Sequence, residues 1–399
     1  MKSSRHLKMG LVLILITCLI FLPGCWGKRE VEQLAPLIGV GIDLGGKPGT
    51  FLITQQFAIP KKGGTSGDEV DNRTVSVEAS SGREANEKIS KVFFRTPFMG
   101  SLKVIIIGEA VAKAGEFHDI LDFAQRFSEF RRSMFLVLAK GEAKDILNLK
   151  LRVGQLPAMY IKSNLEVASS IPIVKLGHYL TILSTKSTAP ILPVVEGIKP
   201  GEGGLEYKAE GTDAAQELRL QGAGVFRKDR LVEFLSDEET KGYMWLENQV
   251  KQRLLNTVGI DESKLNFSGQ VMSSTTKYKV KDNNGTIELQ YQIKTSIAVD
   301  EVLGLKEQLS QSEWVDLMKK TENKFAQVIQ KECMIALQKE KALSLDFLGI
   351  GRHVEQKNPV YWKTVKDQWE QKIADFPVSV EVQVTIHNSG MSNSSATTN

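Results

Sequence analysis

A chain of 399 residues, 42% of them hydrophobic, is long enough to bury two or three separate cores. Its 51 Lys and Arg stand against 47 Asp and Glu; three of the cations (Lys2, Arg5, Lys8) and none of the acids lie in the first 24 residues, so the remainder carries 48 against 47. That near-neutral balance excludes a basic footprint for nucleic acid, and one cysteine past residue 25, Cys333, excludes an internal disulfide in the body.

The N-terminus reads as a signal peptide over residues 1–24. It has a basic start, the uncharged run "MGLVLILITCLIFLP" and a small residue, Gly24, before the expected cleavage point. The run falls short of the ~20 apolar residues of a spanning helix, so export and cleavage are expected. Leu22-Pro23-Gly24-Cys25 resembles the bacterial lipobox, in which the cysteine thiol is acylated and becomes the mature N-terminus. Cys25 is therefore the expected lipidation site. Two or more acyl chains there would tether the protein to the outer face of a membrane without spanning it.

The next stretch, "IGVGIDLGGKPGTF" from Ile38 to Phe51, resembles the first phosphate loop of sugar kinases in the actin-like ATPase superfamily. Lys47 and Pro48 follow the glycines where that loop needs a hydroxyl residue, and export removes cytoplasmic ATP. The stretch is better read as a strand that ends in a Gly-Pro-Gly turn and returns as "FLITQQF". "KKGGTSGDEVDN" is a polar excursion between strands, and "SGREANEKISKVFF" is a helix with Ala85, Ile89 and Val92 on one face and Ser81 as its cap. "LKVIIIG" and "SMFLVLA" are continuous apolar runs expected as buried strands, with the helical "GEFHDILDFAQRF" between them.

From Val194 to Ala214, Gly, Pro and charge cluster without periodicity, which places the main boundary there. The expected organisation is an N-terminal region over 25–200, of one or two subdomains, a linker at 201–214 and a C-terminal domain over 215–387. Past the boundary, "GAGVFRKDRLVEFL" reads as a hairpin turned at Arg227-Lys228-Asp229, and Ser236 with Glu239 forms a capping box. "KYKVKDNNGTIELQYQI" is a second hairpin, turned at Asn284-Gly285, with Ile287, Leu289, Tyr291 and Ile293 on one face. A helix is expected from about Gln311 to Lys341, where Phe325, Ile329, Cys333 and Leu337 step by four, so Cys333 reads as core and not as a nucleophile. "VSVEVQVTI" alternates as a half-buried edge or surface strand, and 388–399 is a polar, disordered tail. The fold class is α+β: two to three domains, each a β-sheet with helices packed against it.

Candidate chemistry is sparse. His118, His178, His353 and His387 show no metal-ligand spacing, and no G-x-S-x-G elbow occurs. Asp237, Glu238 and Glu239 fall in a helix's first turn, where they complement the dipole. Tyr361, Trp362 and Trp369 fit either a partner-binding face or, more commonly, core packing; "RFSEFRR", Arg126 to Arg132, fits either a solvated helix end or a contact surface. No catalytic residue, cofactor or metal is expected.

The blocks "GCWGKREVEQLAPLIGVGID", "LKVIIIGEAVAKAG", "FRRSMFLVLAKGEAKDIL", "GAGVFRKDRLVEFLSDEETKGYMWL" and "LDFLGIGRHVEQKNPVYWKTVKDQW" occur in that order. They resemble successive signature blocks of the Ger(x)C family, the lipoprotein C subunits of nutrient germinant receptors in endospore-forming bacteria. Glu233 departs from the family block, which carries glycine there. The resemblance implies an α+β protein, lipid-anchored on the extracytoplasmic face of the spore inner membrane. It implies a non-catalytic subunit acting with an A-type and a B-type membrane subunit, required for receptor assembly or signalling. A ligand-capturing surface lipoprotein with a cleft between two lobes stays open as the alternative.

Overall fold

The computed structural model describes residues 34–388 apart from 61–69, 94, 116, 128, 152–153, 168–169, 200–216, 261–264, 284 and 306–307. The expected signal peptide with Cys25, the linker 201–214, the Gly-rich 61–69 and the tail past 388 lie outside the described residues.

The first part of the chain runs β1 (Leu34–Leu44), β2 (Phe51–Pro60), β3 (Val70–Ala79), α1 (Gly82–Val92), β4 (Thr96–Phe98) and β5 (Val104–Ile107). It continues through α2 (Glu109–Ala114), α3 (His118–Arg126), β6 (Phe135–Ala139), α4 (Ala143–Asn148), α5 (Pro157–Val167) and α6 (Leu176–Leu183), then β7 (Ile191–Ile198), β8 (Glu217–Arg227) and β9 (Arg230–Leu235). Among the described residues these strands form one nine-stranded sheet, ordered β3-β2-β1-β5-β6-β7-β8-β9 with β4 beside β1. Its centre, β1-β5-β6-β7, is parallel, which explains why "VIII" and "FLVLA" are apolar throughout: helices cover both faces. One face packs Ile105, Ile107, Leu136 and Leu138 with α1, α2, α3 and α6; the other packs Val104, Ile106 and Val137 with α4 and α5.

The second part comprises α7 (Asp237–Leu246), β10 (Leu254–Ile260), β11 (Leu265–Asn283), β12 (Thr286–Leu303), α8 (Gln311–Leu343), α9 (Ile350–Lys357), α10 (Pro359–Val365), α11 (Trp369–Lys372) and β13 (Val378–Asn388). Here the strands form a four-stranded sheet, β10-β11-β12-β13, with β13 as a parallel edge. Ile287, Leu289, Tyr291 and Ile293 are buried against α8, whose Phe325, Ile329, Cys333 and Leu337 are buried in the same core. Capping boxes close the N-termini of α7, by Ser236 and Glu239, and of α8, by Ser310 and Glu313. No described helix is long and apolar enough to cross a membrane.

The hairpin β8–β9, assigned by sequence to the C-terminal domain from residue 215, pairs instead with the large sheet, Ile191 opposite Val225 and Ile198 opposite Glu217. Glu233 sits in β9 opposite Val225, where the ladder shifts register before Phe226.

Candidate functional site at the joint between the domains

The phosphate-loop stretch is a hairpin. β1 and β2 pair antiparallel, the Gly45 N–H donates to the Thr50 carbonyl (2.9 Å), and Gly49 takes φ 75° in the turn. Asp43 is committed elsewhere: its carboxylate accepts the N–H groups of Ala143 (2.8 Å) and Lys144 (2.9 Å) at the start of α4. Burial pushes this carboxyl up, against the pull of those two donors.

The densest cluster of buried polar groups lies in the block "LDFLGIGRHV", Leu345 to Val354, where the two domains meet. The Ala189 N–H, just before β7, donates to the Asp346 carbonyl (2.5 Å). The Asp346 carboxylate accepts from the N–H groups of Ile350 (2.8 Å) and Gly351 (2.5 Å), which opens α9, and from Trp369 Nε1 (2.7 Å). Gly349 takes φ 66° to make that turn. Gly351 has no room for a side chain: a Cβ there would sit 2.6 Å from Trp369 Nε1 and 2.9 Å from the Ser187 carbonyl of the first domain. Beside Asp346, Glu340 of α8 is fully buried, accepts the Leu348 N–H through Oε1 (2.9 Å) and has its carboxyl in contact with that of Asp346. Burial raises both carboxyls, Glu340 the further of the two.

Around this pair, Arg352 bonds Glu247 (2.7 Å), and His353 Nδ1 lies 3.1 Å from the Tyr291 hydroxyl under the Tyr278 ring at 3.8 Å. Burial, with Arg352 adjacent, pushes His353 down to about 3, so it is neutral at physiological pH. Trp369 packs edge-on to Trp362 and Phe376, each 5.1 Å away. A groove of about 430 Å³ opens above, floored by Leu345, Trp369 and Pro190. Its rim carries the ion pairs Lys186–Asp367 (3.5 Å) and Arg227–Glu370 (3.7 Å) across the joint.

Of the residues singled out by sequence, Trp362 and Trp369 are core, and Tyr361 is half-buried beside them. Cys333 is buried and burial pushes its thiol up, which keeps it unreactive. His118, His178, His353 and His387 lie on α3, α6, α9 and β13, and no group of three metal-ligating side chains forms among the described residues. Asp237 pairs with Lys241 (2.5 Å) and Glu239 caps α7. In "RFSEFRR", Arg126 pairs with Asp122 while Phe127 and Phe130 pack on Phe123 at 5.4 and 5.8 Å. Sequence reasoning passed over Glu247, Glu340 and Asp346; the available signal was an acid set in an apolar run, as in "LSLDFLGIG" and "GYMWLEN".

Residues 27–197 match the spore germination protein N-terminal domain family, and residues 221–390 match the family described as spore germination B3/GerAC like, C-terminal. The chain is 26% identical over 397 residues to spore germination protein KC of Bacillus subtilis (strain 168), covering 96% of each. It is 23% identical over 398 residues to spore germination protein B3 of the same organism, covering 98% of this chain and 99% of that one. The crystal structure of the GerBC protein superposes with a TM-score of 0.55 at 20% identity, over 90% of this chain and all of that one. Matched end to end in sequence and sharing the two-sheet fold, the chain belongs to the GerAC/GerKC family of spore germination C-subunit proteins.

Proposed function

We propose that this protein is the lipid-anchored, non-catalytic C subunit of a nutrient germinant receptor at the spore inner membrane, held there through Cys25. It acts with the A-type and B-type membrane subunits of the same receptor and is required for assembly or signalling. The observation that carries the reading is the ordered match of two spore germination families across both domains. It is supported by how the buried polar groups are used: Asp43 opens α4, Asp346 opens α9, and Glu332 of α8 binds Arg253 and Trp245. Each is committed to a structural bond, which fits a protein that works through its surface.

The groove of about 430 Å³ between the domains favours the ligand-capturing alternative. The discriminating experiment is purification from detergent-solubilised spore membranes together with calorimetry. Recovery of the A-type and B-type subunits with this chain, and no saturable heat from amino acids or sugars, is expected. One-site nutrient binding by the chain alone, lost on substituting groove residues such as Trp369, favours the alternative.

A further inference from the structure

Three carboxyls held largely out of solvent, Glu247, Glu340 and Asp346, cluster where the domains meet, and the half-buried cation Arg352 faces them. Arg352 is committed to Glu247 at 2.7 Å, which leaves Glu340 and Asp346 to each other. Among the described residues no N–H reaches Glu340 Oε2, an atom sealed from water, and the side chains of Glu340 and Asp346 are in hydrogen-bonding contact. Two carboxylates in that contact repel, and without water or a cation they cannot both be ionised.

We infer that Glu340 and Asp346 share one proton, and that this proton holds the joint between the domains closed. Donor geometry decides which residue carries it. Three N–H groups converge on the Asp346 carboxylate, so Asp346 is the anion. Glu340 is the acid: Oε1 accepts from Leu348 and Oε2–H donates to Asp346. When hydroxide removes the proton, the O–H bond breaks, water forms and two adjacent carboxylates remain. Their repulsion acts on Asp346, whose carbonyl is bound by the Ala189 N–H of the other domain and whose carboxylate opens α9.

The groups facing the pair are Glu247 just past α7, Tyr291 from β12, Arg352 from α9, Trp369 from α11 and, around Arg352 and Glu247, Tyr243 from α7, His353 from α9 and His178 from α6. Lys186 and Lys366 stand at the groove rim in solvent. Burial raises Tyr243 and Tyr291 and holds His353 neutral, so none of these supplies a counter-charge as pH rises through neutrality.

The sign follows from linkage. An acid raised in the folded state contributes stability that is full below its unfolded value, near 4.5, and is lost as pH rises through its folded value. In that window the unfolding constant gains about tenfold per pH unit for the one proton. Glu340→Gln keeps an acceptor for Leu348 and an N–H for Asp346 but cannot ionise.

The test uses the full chain in detergent micelles between pH 5 and 9. Urea unfolding is followed by tryptophan fluorescence, and joint opening by hydrogen exchange at the Ala189 amide. In wild type the unfolding constant should climb by about tenfold per pH unit relative to E340Q within the window, with Ala189 exchange accelerating beyond the intrinsic base-catalysed rate. E340Q should show neither. Parallel wild-type and E340Q profiles, with Ala189 exchange following the intrinsic rate in both, overturn the inference. Should E340Q fail to fold, infrared spectroscopy of wild type decides: a protonated-carboxyl carbonyl band present at pH 6 supports the shared proton, and its absence there overturns it.

Discussion

Asp43 is the residue on which the phosphate-loop reading and the structural reading differ most. Its side chain joins β1 to the first turn of α4, a hundred positions away, and is 5% exposed. Asp43→Ala strips the acceptor from two N–H groups, one of them, on Ala143, buried beyond the reach of water. A stranded buried donor costs roughly 1–3 kcal/mol and a lost helix cap about 1, terms that overlap because both describe the same two bonds. The expected loss is therefore about 1–3 kcal/mol. Asp43→Asn keeps one oxygen for Ala143 and turns an amide against the less buried Lys144 N–H, so about half that loss is expected. All four tryptophans of the described residues, Trp245, Trp314, Trp362 and Trp369, lie in the second domain. Circular dichroism should thus show the first domain unfolding earlier in urea while the fluorescence transition moves little. Magnesium with ATP should shift neither transition, since the carboxylate already holds α4. An Asp43→Ala variant within about 0.5 kcal/mol of wild type, or a nucleotide-dependent midpoint, would refute the reasoning.

Gly242→Ala places a Cβ 2.1 Å from the Glu332 carbonyl and 2.7 Å from Ala336 Cβ, where α7 crosses α8. Overpacking of about 1–3 kcal/mol should outweigh the ~1 kcal/mol helix-propensity gain, and a variant that unfolds at higher urea than wild type contradicts this. Glu332→Ala removes the bidentate partner of Arg253 (2.8 and 2.5 Å) and the acceptor of Trp245 Nε1 (2.7 Å). With Arg253 left buried and unpaired, about 3–5 kcal/mol should be lost on chemical denaturation; a loss under ~1 kcal/mol means the charge finds water or another acid. Cys25→Ala should abolish acylation and lower membrane retention and germination; recovery of an acylated N-terminal peptide by mass spectrometry from the variant sinks that assignment.

What was legible in the sequence follows the range of the forces involved. Local patterns carried through: the Ser81 cap on Glu84, the Ser236 and Glu239 box, the four-residue stripe ending at Leu337, and the alternation from Val378 to Ile386. Each is set by neighbours within a turn or two. The helix expected from Gly115 to Phe127 is α3, His118–Arg126; the short α2 before it, ended by Gly115 at φ 75°, was not read from the sequence. The placement of β8–β9 was not legible, since pairing with β7 depends on a partner across the undescribed 200–216. Nor was the joint: Asp346 meets Ala189, Trp369 and Glu340, none of them within five residues, and spacing alone cannot distinguish a buried acid from a solvated one.

The two domains are coupled by contacts of different character. The second core does not stop at its own sheet: Ile191, Ala223, Val225 and Leu235, from the strands at the end of the large sheet, belong to the same buried cluster as Trp245, Leu337 and Phe347. That apolar contact has no titrating group and its strength does not follow pH. The polar contact, from Ala189 through Asp346 to Glu340, does follow it. Ion pairs at the rim, Lys186 with Asp367 and Arg227 with Glu370, are half-exposed or more on each partner and so contribute little. Loss of the shared proton therefore cannot separate the domains, because the apolar face remains. It frees the Asp346 loop and the start of α9 to shift against a first domain that stays attached, so the expected change is a movement at the groove and not a dissociation.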